Sequence, residues 1–310
     1  MNELNILSLT TNKYAPFYQS QVEALNRFGC DTKTISPYKE TNKVDNIGYD
    51  RSVLDYLKIW PRLYGNLEDE YDIIHANNAK VAPMALSQIR CPVVVTFWGS
   101  ELMEKHTTLS RICGRIADEV IVPSSAMSPY LSVSHSVIPF GVDKTIFKPM
   151  DTSEARDQLG WSQYDDIVLF PYPKSRKVKR YSLAEEAVSS LDSDVVLKTV
   201  SGVPHEDMPV YMNASDVILI TSERESGPMV IKEAALCNQP IVSTDVGFVA
   251  ETLDNVPGSF VCDNKTEIVR CLKQALKYGG NADARSKVED QCSTEKMAQS
   301  ILDVYNRALR

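Results

Sequence analysis

Val217-Ile218-Leu219-Ile220-Thr221-Ser222-Glu223-Arg224-Glu225-Ser226-Gly227-Pro228-Met229-Val230-Ile231-Lys232-Glu233-Ala234-Ala235 decides how the rest of the chain is read. Its first five residues form an apolar run of strand length, and a stretch rich in Ala and Leu follows Gly227-Pro228 with helical character. Pro228 is expected at the first helical position, where its missing N–H costs nothing, with Ser226 or Gly227 as the cap. A strand tip thus hands over to a helix N-terminus, where free N–H groups and the positive end of the helix dipole suit a phosphate. Glu225 stands just before that helix and Glu233 inside it. Taken alone, the segment also fits a strand, a turn and a capped helix with surface carboxylates.

A second cluster of charge lies upstream. Residues 1–150 hold 15 Lys and Arg against 16 Asp and Glu, while residues 151–310 hold 18 against 25, so the net charge of −8 is concentrated in the second half. Within that acidic half, Lys174-Ser175-Arg176-Lys177-Val178-Lys179-Arg180 places five cations in seven residues. The run follows the strand-like Ile167–Phe170 and precedes a helix expected over Ser182–Leu191. It therefore falls at the carboxyl end of a strand, where open α/β sheets bind ligands. Cations there can neutralise a diphosphate and the charge that grows on it as it leaves. The other readings of the run are a solvated basic loop or a nuclear localisation patch. Net acidity argues against general nucleic-acid binding.

The spacing Glu, seven residues, Glu resembles the signature of the retaining group 1 glycosyltransferases, the GT4-type enzymes of GT-B fold. Their pattern Ser-x-x-Glu-Gly-x-Pro, four positions, Glu-Ala is kept here except that Ser226 replaces the Gly. Pro139-Phe140-Gly141-Val142-Asp143 through Phe147-Lys148-Pro149 resembles the family's interdomain segment. Ala117–Ser125, Tyr211–Asp216 and Thr244–Gly247 fall where the family has similar stretches. The resemblance implies an α/β GT-B protein with two Rossmann-like domains facing across a cleft: residues 1–140 on the acceptor side, a linker at 141–150, and 151–293 binding the nucleotide sugar. It also implies that the last helix, 294–310, packs back on the first domain and that domain closure excludes water.

Carried over residue by residue, the resemblance gives Glu233 to the donor ribose. Lys179, Arg176 and the N–H groups of Ser226, Gly227, Pro228, Met229 and Val230 fall at the diphosphate, although Pro228 itself has no N–H to offer. Glu225 would orient or stabilise the sugar. On the acceptor side, Trp98-Gly99-Ser100-Glu101 follows the strand-like Val93–Phe97, where the family often has His-Gly-x-Asp. Trp98 can stack on a sugar and donate one hydrogen bond but cannot act as a base, so if a proton acceptor is needed beyond the leaving phosphate Glu101 is the nearer candidate; a core role for Trp98 is equally open. Tyr14 and Phe17 belong to an aromatic loop that replaces the Gly-rich turn of many family members, and are candidate acceptor contacts. His75 resembles a buried strand-end histidine of the family.

The remaining sequence narrows the class. At 310 residues and 43% hydrophobic, the chain can bury two cores. No apolar run reaches the roughly 18 residues of a membrane helix, and Met1–Thr10 leads into a strand, so no signal peptide and a cytoplasmic location are expected, with contact at the inner face of a membrane left open. Cys30, Cys91, Cys113, Cys237, Cys262, Cys271 and Cys292 form no close pair, which fits buried thiols better than disulfides or zinc. None of the thirteen glycines makes a Gly-x-Gly pair, so dinucleotide and phosphate-loop enzymes are disfavoured. Asp192-Ser193-Asp194 reads as a turn rather than a metal site, and four scattered histidines give a metal little to build on. The expectation is a glycosyltransferase with no cofactor and no metal requirement. It would use a nucleotide-sugar donor and a glycan, lipid-linked or other hydroxyl acceptor, with no nucleic acid. The alternative is a degenerate GT-B protein that binds a nucleotide sugar or a protein without turnover; epimerase or phosphorylase chemistry lacks its extra groups.

Overall fold

Short apolar runs become the strands of two parallel sheets, each built on its own core. The computed structural model describes residues 3–37, 52–67, 70–191, 194–278, 284–291 and 293–310. The chain divides into two units: Met1–Gly141 with Thr294–Arg310, and Val142–Ser293.

In the first unit, strands β1 (Leu4–Thr10), β2 (Cys30–Ile35), β3 (Ile73–Asn77), β4 (Val93–Thr96), β5 (Glu119–Val122) and β6 (Ser136–Val137) pair in the order β2-β1-β3-β4-β5-β6. Every described pairing is parallel, so each connection has to cross over the sheet. The crossovers are α1 (Pro16–Arg27), α2 (Val53–Leu57), α3 (Ile59–Asn66), α4 (Ala82–Ala85) and α5 (Thr107–Ile116). All five residues of β3 are buried. β2 is not apparent in the sequence, because Cys-Asp-Thr-Lys-Thr-Ile is an edge strand with only its first and last residues buried.

The second unit repeats the plan. Helix α6 (Thr152–Leu159) leads into β7 (Asp166–Phe170), followed by α7 (Tyr181–Val188), β8 (Val195–Thr199), α8 (Met208–Asn213) and β9 (Val217–Ile220). Then come α9 (Met229–Leu236), β10 (Ile241–Thr244), α10 (Val249–Leu253), β11 (Phe260–Cys262), α11 (Lys265–Tyr278) and α12 (Arg285–Gln291). The sheet order is β11-β10-β9-β7-β8. β9 is wholly buried, at about 1.5–3 kcal/mol of apolar transfer for each of its four aliphatic side chains. Val142 and Phe147, in the stretch expected to be a linker, join this second core. Arg285 holds that stretch by the carbonyls of Phe147 and Lys144 at 2.9 and 3.1 Å.

Helix α13 (Thr294–Ala308) belongs to the first unit. Its Met297, Ala298, Ile301 and Tyr305 pack with Ile6, Ile73, Val94 and Ile121, the apolar stripe that the 3.6-residue period requires. Among the described residues no helix is long and apolar enough to cross a membrane. Asp192, Ser193 and Cys292 lie outside the described residues.

Candidate functional site

In the second sheet the chain passes from β7 to β8 on one side and returns to β9 on the other, so β7 and β9 are neighbours, with Val168 opposite Val217. Their carboxyl ends form the topological switch point, the place where open α/β sheets take their ligands. The loops after β7 and β9 carry the basic run and the double-Glu segment, and backbone bonds join them. Glu223 N–H donates to the Val178 carbonyl at 2.9 Å, and Thr221 Oγ1 donates to the Lys179 carbonyl at 2.8 Å. Arg180 adopts a left-handed backbone (φ 51°), and its guanidinium reaches the carbonyls of Thr221 and Ser222 at 2.6 and 3.2 Å. Arg180 therefore holds the loop together.

This stitching turns Lys179 inward. The residue is 3% exposed and pairs with the Glu225 carboxylate. Its Nζ also lies 3.7 Å from the centre of the Tyr172 ring, a cation–π contact that a desolvated ammonium makes well. Ser222 Oγ donates to the same Glu225 oxygen at 2.9 Å. Burial lowers the Lys179 pKa, and the Glu225 charge offsets only part of that. The structure thus brings Lys179 and Glu225 together, 46 residues apart in sequence. Arg176 opens the same turn, is exposed, and adds positive charge near Lys179.

Helix α9 begins at Met229, and Pro228 is its N-cap, with φ −70° and ψ 103° and no side-chain cap bond. This corrects the expectation of Pro228 at the first helical position and of Ser226 or Gly227 as the cap: the extended ψ leaves Pro228 outside the helix. The first helical N–H groups, on Met229 and Val230, precede the first backbone bond at this end, from Ile231 N–H to the Pro228 carbonyl at 3.1 Å. Two glycines let a second loop close on this start. A Cβ on Gly227 would meet the Phe248 ring at 2.6 Å. One on Gly247, at φ +62°, would meet Pro228 Cδ at 3.0 Å and Gly227 N at 3.3 Å. Lys232, almost fully buried, holds its Nζ 4.5 Å from the Phe248 ring centre. From the end of β10, Thr244 Oγ1 donates to the Ser222 carbonyl at 2.6 Å.

Glu233, in the second turn of α9, is 6% exposed, and its Oε1 accepts from His205 Nε2 at 2.9 Å. His205 was not singled out in the sequence, and nothing in its spacing ties it to residue 233. Tyr172 was missed in the same way, and Thr244 was read only as part of a family-like stretch, because each acts through a contact between distant loops.

In the first unit, Trp98 lies against Phe17, edge to face at 4.8 Å, and Phe17 packs on Phe140 at 4.8 Å. Gly99 takes φ 146°, a backbone that a side chain rarely adopts, and its carbonyl accepts from Leu102 and Met103 N–H at 2.9 Å each. Ser100 is exposed, and Tyr14 is 38% exposed. Glu101 differs from the expectation of a proton acceptor. It is 3% exposed and its carboxylate accepts backbone N–H bonds from its own turn, from Trp98 first among them. Burial raises its pKa against those bonds. Its position makes it a clasp for the 98–105 turn. His75 is buried between Tyr305 Oη and Thr96 Oγ1, 2.7 Å from each, and burial lowers its pKa to about 3. Among the described residues no group of three His, Cys, Asp or Glu side chains is placed to hold a metal ion.

Known proteins share this fold and part of this sequence. The family model for glycosyl transferases group 1 matches residues 185–290. The chain is 21% identical to N-acetyl-alpha-D-glucosaminyl L-malate synthase of Bacillus anthracis, over 79% of this chain and 75% of that protein. Sucrose-phosphate synthase of Thermosynechococcus elongatus shares the fold with a TM-score of 0.83 at 15% identity, 98% of each chain being covered. Anabaena HepE, in complex with UDP-glucose, does so with a TM-score of 0.75 at 18% identity, over 98% of this chain and 100% of that one. The family match spans the strand and helix that flank Glu225 and carry Glu233, and with the paired Rossmann-like units it identifies the chain as a glycosyltransferase of GT-B fold, similar to the group 1 enzymes.

Proposed function

We propose that this glycosyltransferase moves a sugar from a nucleotide diphosphate sugar to a hydroxyl acceptor with retention at the anomeric carbon. The observation that carries the reading is the meeting of Lys179, Glu225 and the start of α9 at one switch point, with Glu233 on the same helix. Glu233 hydrogen-bonds the ribose. Lys179, Arg176 and the N–H groups of Ser226, Gly227, Met229 and Val230 meet the diphosphate, so its charge is balanced by protein groups and no metal enters the proposal. Glu225, held by Lys179 and Ser222, orients the sugar.

In the reaction, the bond from the anomeric carbon to the β-phosphate oxygen breaks and its electron pair leaves with the nucleotide diphosphate. The acceptor oxygen bonds to the same face of that carbon, and its proton passes to the departing phosphate oxygen. No covalent enzyme intermediate is formed. The acceptor is expected at the strand ends of the first unit, where Trp98, Gly99, Ser100 and Tyr14 lie. Glycans, lipid-linked carriers at a membrane face, and a small hydroxy acid such as the malate named for the Bacillus protein are the acceptor classes to try. UDP-sugars come first as donors, since UDP-glucose is the ligand named with HepE.

The test is thermal shift and hydrolysis with UDP-, GDP-, ADP- and TDP-glucose on the wild type, Glu233→Ala and Lys179→Ala. Stabilisation by one nucleotide class, lost in both variants, supports the donor site and names the base. A wild type that no nucleotide sugar stabilises overturns it. Tight binding without turnover favours a degenerate binding module, the reading that Ser226 in place of Gly supports.

A further inference from the structure

His205 is joined to the carboxylate that the proposal above gives to the ribose. Its Nε2 stands 2.9 Å from Glu233 Oε1, and because an ionised carboxylate only accepts, Nε2 carries the hydrogen. The ring is fixed by Phe147, whose ring centre lies 5.1 Å away at an interplanar angle of 58°. Phe147 is fully buried, and its carbonyl is held by Arg285 Nη1 at 2.9 Å. The His205 side chain is 33% exposed and that of Glu233 only 9%. The pair therefore sits where protein meets solvent, with the histidine open to proton exchange and the carboxylate held.

Nearby charges make that proton consequential. Tyr172, whose ring lies under Lys179, feels the charges of both Glu225 and Glu233, so the pair is within electrostatic reach of the cation given to the diphosphate. A bare carboxylate there repels a diphosphate, and an imidazolium beside it cancels that repulsion. The groups facing His205 are Glu233 from α9 and Glu206 and Asp207 from its own turn; the segment before α6 presents the Phe147 ring, with Arg285 of α12 behind it. Burial pulls the His205 pKa down, but the bond to Glu233 and the charges of Glu233 and Glu206 outweigh it and leave the pKa raised.

We infer that His205 is a positioning residue of the donor site: it holds one oxygen of Glu233, leaves the other for the ribose, and takes up a proton as the nucleotide diphosphate binds. The inference rests on the ribose role proposed for Glu233. Ligand and proton then favour each other by linkage, and affinity weakens as pH rises through the His205 titration. Each unit by which the bound diphosphate raises the His205 pKa is worth about tenfold in affinity across that range.

The test is calorimetry between pH 6 and 9, in buffers of different ionisation enthalpy, with whichever of UDP-, GDP-, ADP- and TDP-glucose binds the wild type most tightly. The slope is read between pH 6 and 8, where neither the diphosphate diester nor the base of any of these donors titrates. Proton uptake and a several-fold fall in affinity with rising pH are expected for the wild type. His205→Gln keeps a donor but cannot take a proton, so it should bind with no such slope, whereas His205→Ala should bind more weakly at every pH. A pH-independent wild type, or a slope that survives in His205→Gln, overturns the inference and leaves the donor site standing. Failure of all four donors to bind the wild type overturns the donor reading and the inference with it.

Discussion

The two sheets have the same kind of switch point and opposite chemistry at it. In the second unit the loops after β7 and β9 bring charges together, Lys179 on Glu225, and Glu233 of the following helix meets His205. In the first unit the corresponding place, between β1 and β3, is built on a hydrogen-bonded network of neutral side chains, and the cations of its loops, Lys13 and Lys80, lie over the rings of Tyr14 and Tyr56. Ser8 Oγ and Thr34 Oγ1 each lie 2.8 Å from Tyr18 Oη, and Asn77 links Ser8 and Gln21 at 3.1 Å each. The acid of this region, Glu101, is turned onto backbone N–H groups. Histidine behaves accordingly: His75 is buried and held neutral, whereas His205 sits beside a carboxylate that favours its charged form. One topology thus supplies a place to bind, and the side chains at the strand ends decide whether that place suits a polyanion or a neutral partner.

The hardest test of this contrast is to remove the cation. Lys179→Met should lower turnover with the preferred donor by about 100- to 1000-fold, the scale for losing one group that stabilises developing charge. Lys179→Arg should retain a measurable part of it, and steady-state kinetics on both variants checks the ordering. A Lys179→Met enzyme that works at the wild-type rate would move the charge work away from this loop.

The acids sharpen the comparison next. Glu101→Ala should leave three backbone donors of the 98–105 turn unsatisfied and lower unfolding stability by about 1–3 kcal/mol, with donor affinity unchanged. Urea denaturation and donor titration on the same variant separate the two effects. A loss of donor affinity with unchanged stability would mean that the two units are not divided as described.

The smallest effect is the response to pH. The folded pKa of His75 is depressed to about 3, so the stability it contributes is present above its unfolded value near 6.5 and is lost as pH falls below it. Between pH 6.5 and 5.5 the loss should be about 1 kcal/mol, and His75→Gln should remove that pH dependence from urea midpoints. His205 has the opposite sign: its folded pKa is raised, so its contribution is complete below the unfolded value and disappears as pH rises through the folded one.

Much of the second unit was legible because its signals are local. An apolar run followed by Gly-Pro and an Ala-rich stretch can hardly be other than a strand and a helix, and β9 and α9 stand there. β2 was not legible, since an edge strand buries too few residues to show a period. The cap of α9 was misplaced by one residue because Pro fits φ at either position and only ψ separates them. Glu101 was read as a reactive acid because its position at a strand end is visible in sequence, while the direction of its carboxylate is set by the turn around it.

By itself the sequence determined the strand-to-helix step at 217–235, the double-Glu segment and the basic run, because periodicity and short motifs are properties of neighbouring residues. The tertiary structure alone decided that Lys179 meets Glu225, that His205 meets Glu233, and that Gly227 and Gly247 allow the Phe248 loop to close on the start of α9. Those contacts span between 19 and 46 positions. They exist because parallel strands that are distant in the chain end side by side, and only the folded register fixes which ends are neighbours.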